Sequence, residues 1–99
     1  MEFQIQQTAV FERWLLNLRD LRARISIARR IDRAAQGNFG DTRALGDGLS
    51  ELRVDFGPGY RVYYMRRGSE IILLMLGGDK STQRQDIQIA RTLMQEYRS

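Results

Sequence analysis

The hydrophobic alternation on either side of Phe56-Gly57-Pro58-Gly59 constrains this chain more than any other feature in it. Before the loop, Leu52, Val54 and Phe56 fall on one side of a strand, with Glu51, Arg53 and Asp55 on the other. After it, Val62 and Tyr64 oppose Arg61 and Tyr63. Side chains directly opposite across an antiparallel ladder share a face. The apolar sets therefore coincide only if the connection holds an odd number of residues, either three (Gly57-Pro58-Gly59) or five. A two-residue turn would send one strand's apolar side chains to the wrong face. With the odd register, Arg53, Arg61 and Tyr63 share a polar face beside Glu51 and Asp55. The apolar face is left to pack on helices.

Those helices are expected upstream. Residues 2–6 alternate, with Phe3 and Ile5 apolar, and predict a first strand. Thr8 is a candidate N-cap for a helix whose Phe11, Trp14, Leu15 and Leu18 form an apolar stripe. Asp20 caps a second helix that ends near Gln36-Gly37, with Leu21, Ile25, Ala28, Ile31 and Ala35 as its apolar side. So short a connection predicts an antiparallel helical hairpin. Residues 37–48, rich in Gly, Asn and Asp, are expected to form a loop.

Three strands follow, at about residues 49–55, 60–66 and 70–76, and then a helix over about 82–97. Thr82 and Gln85 fit a capping box for that helix, and Ile87, Ala90, Met94 and Tyr97 its apolar stripe. The expected fold is α+β, in the order β-α-α-β-β-β-α: an antiparallel sheet packed on a helical hairpin, with a C-terminal helix. Residues 1–99 form one domain in this reading, without repeats or linkers.

The residue inventory narrows the chemistry. The chain has neither cysteine nor histidine, which removes thiolate nucleophiles, disulfides, imidazole acid–base pairs and the common zinc sites. No metal and no cofactor are expected. The net charge is +4, and Lys80 is the sole lysine among the 16 basic residues. Arginine's planar fork of donors suits phosphate, although an arginine-rich genome would give the same bias. The start, Met1-Glu2-Phe3-Gln4, has no basic segment leading into an apolar run, and the longest apolar stretch, 71–76, is too short to span a bilayer. A cytoplasmic protein with no membrane partner is expected.

Strand order locates a candidate site. A fourth strand antiparallel to the third would bring Gly77-Gly78-Asp79-Lys80 back to the end where Arg61 begins. Arg53, Arg61 and Lys80 would then converge, with Tyr63 nearby. Like charges gather against their mutual repulsion, so an anion-binding site is one reading. The other is an ordinary cross-strand ladder in which Glu51 and Asp55 neutralise the arginines. Gly77-Gly78 either ends the strand or lets a backbone approach a phosphate; it lacks the spacing of a nucleotide-binding loop. Arg22, Arg29 and Arg33 align on the second helix, as a solvated face or as a contact for nucleic acid or an acidic protein segment.

The runs Leu52-Arg53-Val54, Gly59-Tyr60-Arg61-Val62-Tyr63-Tyr64 and Gly77-Gly78-Asp79-Lys80-Ser81-Thr82 resemble the RelE/ParE superfamily of type II toxins. Within it the chain looks closest to the HigB-like branch labelled "addiction module killer protein". The resemblance covers essentially the whole chain, including the Gly-Asn-Phe-Gly-Asp loop at residues 37–41.

It implies an mRNA interferase, an endoribonuclease that acts in the ribosomal A site and inhibits translation. It further implies an antitoxin partner, a helix-turn-helix protein from the adjacent gene. The partners on this reading are ribosome and mRNA, with operator DNA reached only through the antitoxin complex. Arg61, Arg53 and Lys80 match basic site positions of such toxins, with Tyr63, Asp79 and Glu51 as candidate proton carriers. Arg43, Arg66, Arg22 and Arg29 are the expected further RNA contacts. Where RelE places a catalytic tyrosine, this chain has residues 83–86. Two alternatives share the fold: a ParE-like inhibitor of DNA gyrase without nuclease activity, and an inert pairing module that acts only as a co-repressor.

Overall fold

Val54 pairs with Tyr60, Arg53 with Arg61 and Leu52 with Val62, so the hairpin is closed by residues 55–59, the five-residue form of the odd loop. Gly59 has φ +83°, a left-handed conformation that side chains with a Cβ rarely adopt. The computed structural model describes residues 2–98, so the ends of the expected 1–99 domain lie outside the described residues.

The described elements are β1 (Gln4–Gln7), α1 (Ala9–Leu16), α2 (Leu21–Ala35), β2 (Thr42–Gly46), β3 (Leu49–Val54), β4 (Tyr60–Arg67), β5 (Ile71–Asp79), a 3-10 turn (Lys80–Thr82) and α3 (Gln83–Arg98). The strands form a mixed sheet in the order β1-β5-β4-β3-β2. The α+β class is as expected; several details differ.

The glycine-rich segment taken for a loop contains β2, an edge strand antiparallel to β3 with an irregularity between Ala44 and Gly46. Its residues are mostly exposed, so no apolar alternation marks it. Thr42 anchors it, its hydroxyl lying 2.9 Å from the Glu51 carbonyl and 2.7 Å from the Tyr64 hydroxyl. The sheet is also not wholly antiparallel, because β1 runs parallel to β5. Finally, β5 continues through Gly77 and Gly78 to Asp79, with a bulge opposite Tyr63–Tyr64.

Both faces of the sheet are covered. On one, Leu52, Val54, Val62, Tyr64, Ile72 and Leu74 meet Phe11, Ile27, Ile31 and Ala34 of α1 and α2. On the other, Leu49, Tyr63, Met65, Leu73, Met75 and Leu76 meet Ala90 and Met94 of α3. The face read as polar is therefore polar only at its hairpin end, and the rest is a second core.

Thr8 and Asp20 cap α1 and α2 as expected, accepting from Phe11 N at 3.0 Å and Arg22 N at 2.9 Å. The Thr8 hydroxyl also donates to the Met75 carbonyl at 2.6 Å, pinning α1 to β5.

The buried side of α2 is Ala23, Ile27, Ile31 and Ala34, whereas Leu21 and Ile25 are exposed. The helix is thus turned by roughly a third of a turn from the expected orientation. Burying Leu21 and Ile25 would gain about 1.5–3 kcal/mol each. Turning the helix to do so would lift Ala23 and Ala34 off the sheet and pull Arg30 from three backbone carbonyls, those of Arg53, Phe39 (2.9 Å) and Asp41 (3.3 Å). Close approach and satisfied carbonyls win over hydrophobicity.

The capping box also shifts. Asp79 accepts from Ser81 N at 2.8 Å while Thr82 answers toward Asp79 N at 3.4 Å, so the box surrounds the 3-10 turn that feeds α3. Thr82 is not the cap paired with Gln85, because its hydroxyl donates to Asp86 at 2.5 Å.

Candidate functional site

Register brings Arg53, Arg61 and Gly78 into one row across β3, β4 and β5. Asp79, one residue on, pairs with Tyr60. Lys80 follows, exposed at the rim, where a Cβ on Gly59 would stand 3.6 Å from its own Cβ. The three cations therefore stand at one end of the sheet. An open cavity of about 220 Å³ there is lined by Asp41, Arg53, Val54, Asp55, Gly59, Tyr60 and Arg61.

The two arginines are held differently. Arg61 donates at 3.2 Å to Glu51, and their side chains are 12% and 0% exposed. Glu51 also accepts from Gln83 Nε2 of α3, at 2.9 and 3.3 Å. A fully enclosed carboxylate with three donor contacts is a fixed anchor, since removing a partner strands a buried charge. Arg53 instead pairs with Asp41 at 2.9 Å, with both side chains substantially exposed at 38% and 58%. Such pairs contribute about 0–1 kcal/mol, so Arg53 can exchange Asp41 for another anion at little cost. The cross-strand neutralisation considered as an alternative is thus real for Arg61 through Glu51. For Arg53 the carboxylate is Asp41, not Asp55.

Tyr63 does not stand beside Arg61 as a solvent-facing group. It is fully buried under α3, its hydroxyl has no hydrogen-bond partner among the described residues, and burial pushes its pKa well above the ordinary tyrosine value, with Glu51 and Asp86 adding to the effect. It is a core residue with a stranded polar tip. Asp79 is occupied as a cap, its Oδ1 lying 2.8 Å from Ser81 N and 2.5 Å from Ser81 Oγ. Asp86 is buried, and burial raises its carboxyl pKa despite the Thr82 hydroxyl.

The double glycine does not end the strand, which runs on to Asp79. A Cβ at Gly77 would overlap the Trp14 ring, and one at Gly78 would overlap the Asp86 carboxylate. Gly77 lets α1 press on one face of β5, and Gly78 lets α3 press on the other. This close approach seats Gln83 over Glu51, and so positions Arg61.

The expected RNA-contact arginines disperse. Arg43, exposed on β2, is opposite Glu51 and on the face that carries Arg53 and Arg61. Arg66 lies five residues along β4 from Arg61, about 17 Å away, and its guanidinium covers the Phe39 ring at 4.4 Å and the Phe3 ring at 5.3 Å. Arg22 is exposed in the first turn of α2. Arg29 lines a separate groove with Ser26, Arg30, Arg33, Val54 and Asp55.

Sequence reasoning missed Arg30, Asp41, Gln83 and Asp86. Only Arg30 carried a signal, since it falls at helical spacing with Ala23, Ile27 and Ala34. Burial lowers its pKa, with Asp41 opposing that.

The site thus sits on a small mixed sheet between a pair of helices and a third helix, with arginines at the hairpin end. The family described as phage-derived protein Gp49-like (DUF891) matches residues 13–95. The chain belongs to this family, which is toxin-like and implies in general an antitoxin partner. It is also similar to an uncharacterized protein of Haemophilus influenzae, 48% identical over 96 residues and covering 97% of each chain. Among the described residues, no helix is long and apolar enough to cross a membrane.

Proposed function

We propose that this protein is the toxin of a toxin–antitoxin pair and a ribosome-dependent mRNA endonuclease, with Arg61 as the fixed element of its site. The observation that carries this reading is the row Arg53–Arg61–Gly78 with Lys80 at its rim, opening to solvent at the hairpin end.

The reaction is attack by a ribose 2′-OH on the adjacent phosphorus. The P–O5′ bond breaks, leaving a 2′,3′-cyclic phosphate and a 5′-OH end, and one proton passes from the nucleophile to the leaving oxygen. Negative charge grows on the phosphoryl oxygens in the transition state. Arg61, one edge held by Glu51, presents its remaining N–H groups to that charge without reorganising. Arg53 leaves Asp41 to join it.

Arginine is a poor proton acceptor. With Tyr63 and Glu51 enclosed and Asp79 capped, the exposed groups left for proton movement are Lys80, Asp55 and, once Arg53 leaves it, Asp41. So sparse an acid–base set relies on the ribosome to position the message, and free RNA is cut negligibly.

Mapping 5′-OH ends in a purified translation system tests this. Cuts in phase with codons, on translated message only, are expected. DNA damage through gyrase without new RNA ends would instead favour the ParE-like reading, and growth unaffected by expression without antitoxin would favour an inert pairing module.

A further inference from the structure

The carboxylates are unevenly shared among the arginines. At the hairpin end both are paired, Arg53 with Asp41 and Arg61 with Glu51. Across the hairpin strand lies a second open groove of about 270 Å³, lined by Ser26, Arg29, Arg30, Arg33, Val54 and Asp55. Val54 and Asp55 also line the first cavity, so the two adjoin. Arg30 lines the second groove, with its guanidinium turned onto the carbonyls of Arg53, Phe39 and Asp41. Arg29 and Arg33 are exposed and, among the described residues, form no ion pair.

We propose that the Ser26–Arg29–Arg33 groove is a second phosphate-binding site, which grips the sugar–phosphate backbone of a single-stranded RNA as it leaves the hairpin-end cavity. Arg29 and Arg33 are one turn apart on α2, about 6 Å along its axis, a step that suits successive phosphates of one strand. Ser26, a turn before Arg30, supplies a hydroxyl for phosphate or ribose. The lining carries no aromatic side chain and only Val54 as an apolar one. The groove can therefore hold a backbone without reading bases, and it offers no anchor for the apolar side chains of an acidic peptide. Asp55 is its single carboxylate, standing where the two cavities meet and weakening the field in both. The proposal rests on the RNA-directed reading of the adjoining cavity but not on any cleavage there.

The test uses the full-length protein and a fluorescent 12-nucleotide 2′-O-methyl RNA, which has no 2′-OH to react. Anisotropy is read across a salt series for wild type, the double variant R29A/R33A, D55N, and R67A at the far end of β4 as a control. Each phosphate neutralised on a single strand contributes a slope of about 0.7 in log K against log salt. The double variant should bind roughly tenfold more weakly at moderate salt, with its slope reduced by about 1.4. D55N should bind more tightly, and R67A should match wild type.

Unchanged binding by both R29A/R33A and D55N overturns the groove, as does a wild type that fails to bind the oligonucleotide. So does a double variant that keeps RNA binding but loses its antitoxin, which would make the groove a protein-binding surface. D55N keeps the question answerable should the double variant fold poorly. Codon-phased cutting with an indifferent groove removes this inference and leaves the function standing. Groove-dependent binding by a protein that makes no cuts does the reverse.

Discussion

Two groups of arginines lie on either side of the β3–β4 hairpin end, and they differ in what holds them. Arg61 is nearly enclosed, fixed to a buried carboxylate that is itself fixed by a helix. Arg29 and Arg33 project from an exposed helical turn and pair with no carboxylate among the described residues. Fixed, partly neutralised charge suits a step in which geometry decides the rate. Free charge suits long-range attraction and a salt-dependent grip. The same residue type is thus set up for two tasks, and the surroundings make the difference.

The sharpest break of that comparison is at Arg61. Arg61→Ala should reduce cleavage of translated message by roughly a hundredfold to a thousandfold, read as single-turnover rates, while leaving ribosome association nearly intact. Loss of association without loss of rate would exchange the roles assigned to the two groups.

Next in size is the support beneath it. Gly78→Ala should cost about 2–3 kcal/mol in urea unfolding, because a methyl there overlaps the buried Asp86 carboxylate, which must shift and disturb its contact with Thr82 at the start of α3. If α3 seats Gln83 on Glu51, the variant should also lose cleavage beyond its loss of folded protein. Full activity in the folded fraction would show that Arg61 does not depend on α3.

Tyr63→Phe removes a buried hydroxyl that has no partner among the described residues. Stability should change by less than about 1 kcal/mol, in the stabilising direction, and cleavage should be unchanged. A large drop in rate would return Tyr63 to the catalytic set.

The smallest effect is expected at Asp86. Its folded pKa is raised above the unfolded value of 3.8, so its neutral form is the better tolerated in the folded state. This group's contribution is greatest below the unfolded pKa. It is lost as pH rises from there through the folded pKa, and is level above it. Asp86→Asn should remove that fall, so the stability of wild type relative to the variant declines as pH rises across the carboxylate range. A relative stability that rises with pH would mean that the charged carboxylate stabilises the helix start.

Leu52, Val54, Val62 and Tyr64 made the hairpin register legible, because a period of two with one face against helices leaves few pairings. The caps Thr8 and Asp20 were legible for a similar reason: their partners are two and three residues away. The orientation of α2 was not, since the helix carries two apolar rows and the one with less hydrophobic area is buried. Arg30 and two alanines decide that choice, through carbonyls contributed by distant residues.

At the site, register placed Arg53, Arg61 and Gly78 in a row, but register says nothing of partners from other elements. Asp41 belongs to the segment read as a loop, and Gln83 to a helix start read one residue too early. Gly77 and Gly78 are glycines because of Trp14 and Asp86, and no local pattern connects those positions.

The most direct test of the two-group account is cleavage rate against ribosome concentration, measured on a translated message for wild type, Arg61→Ala and R29A/R33A. Arg61→Ala should lower the plateau without moving the midpoint, and R29A/R33A should raise the midpoint several-fold without lowering the plateau. A plateau lost in R29A/R33A, or a plateau kept in Arg61→Ala, would contradict it.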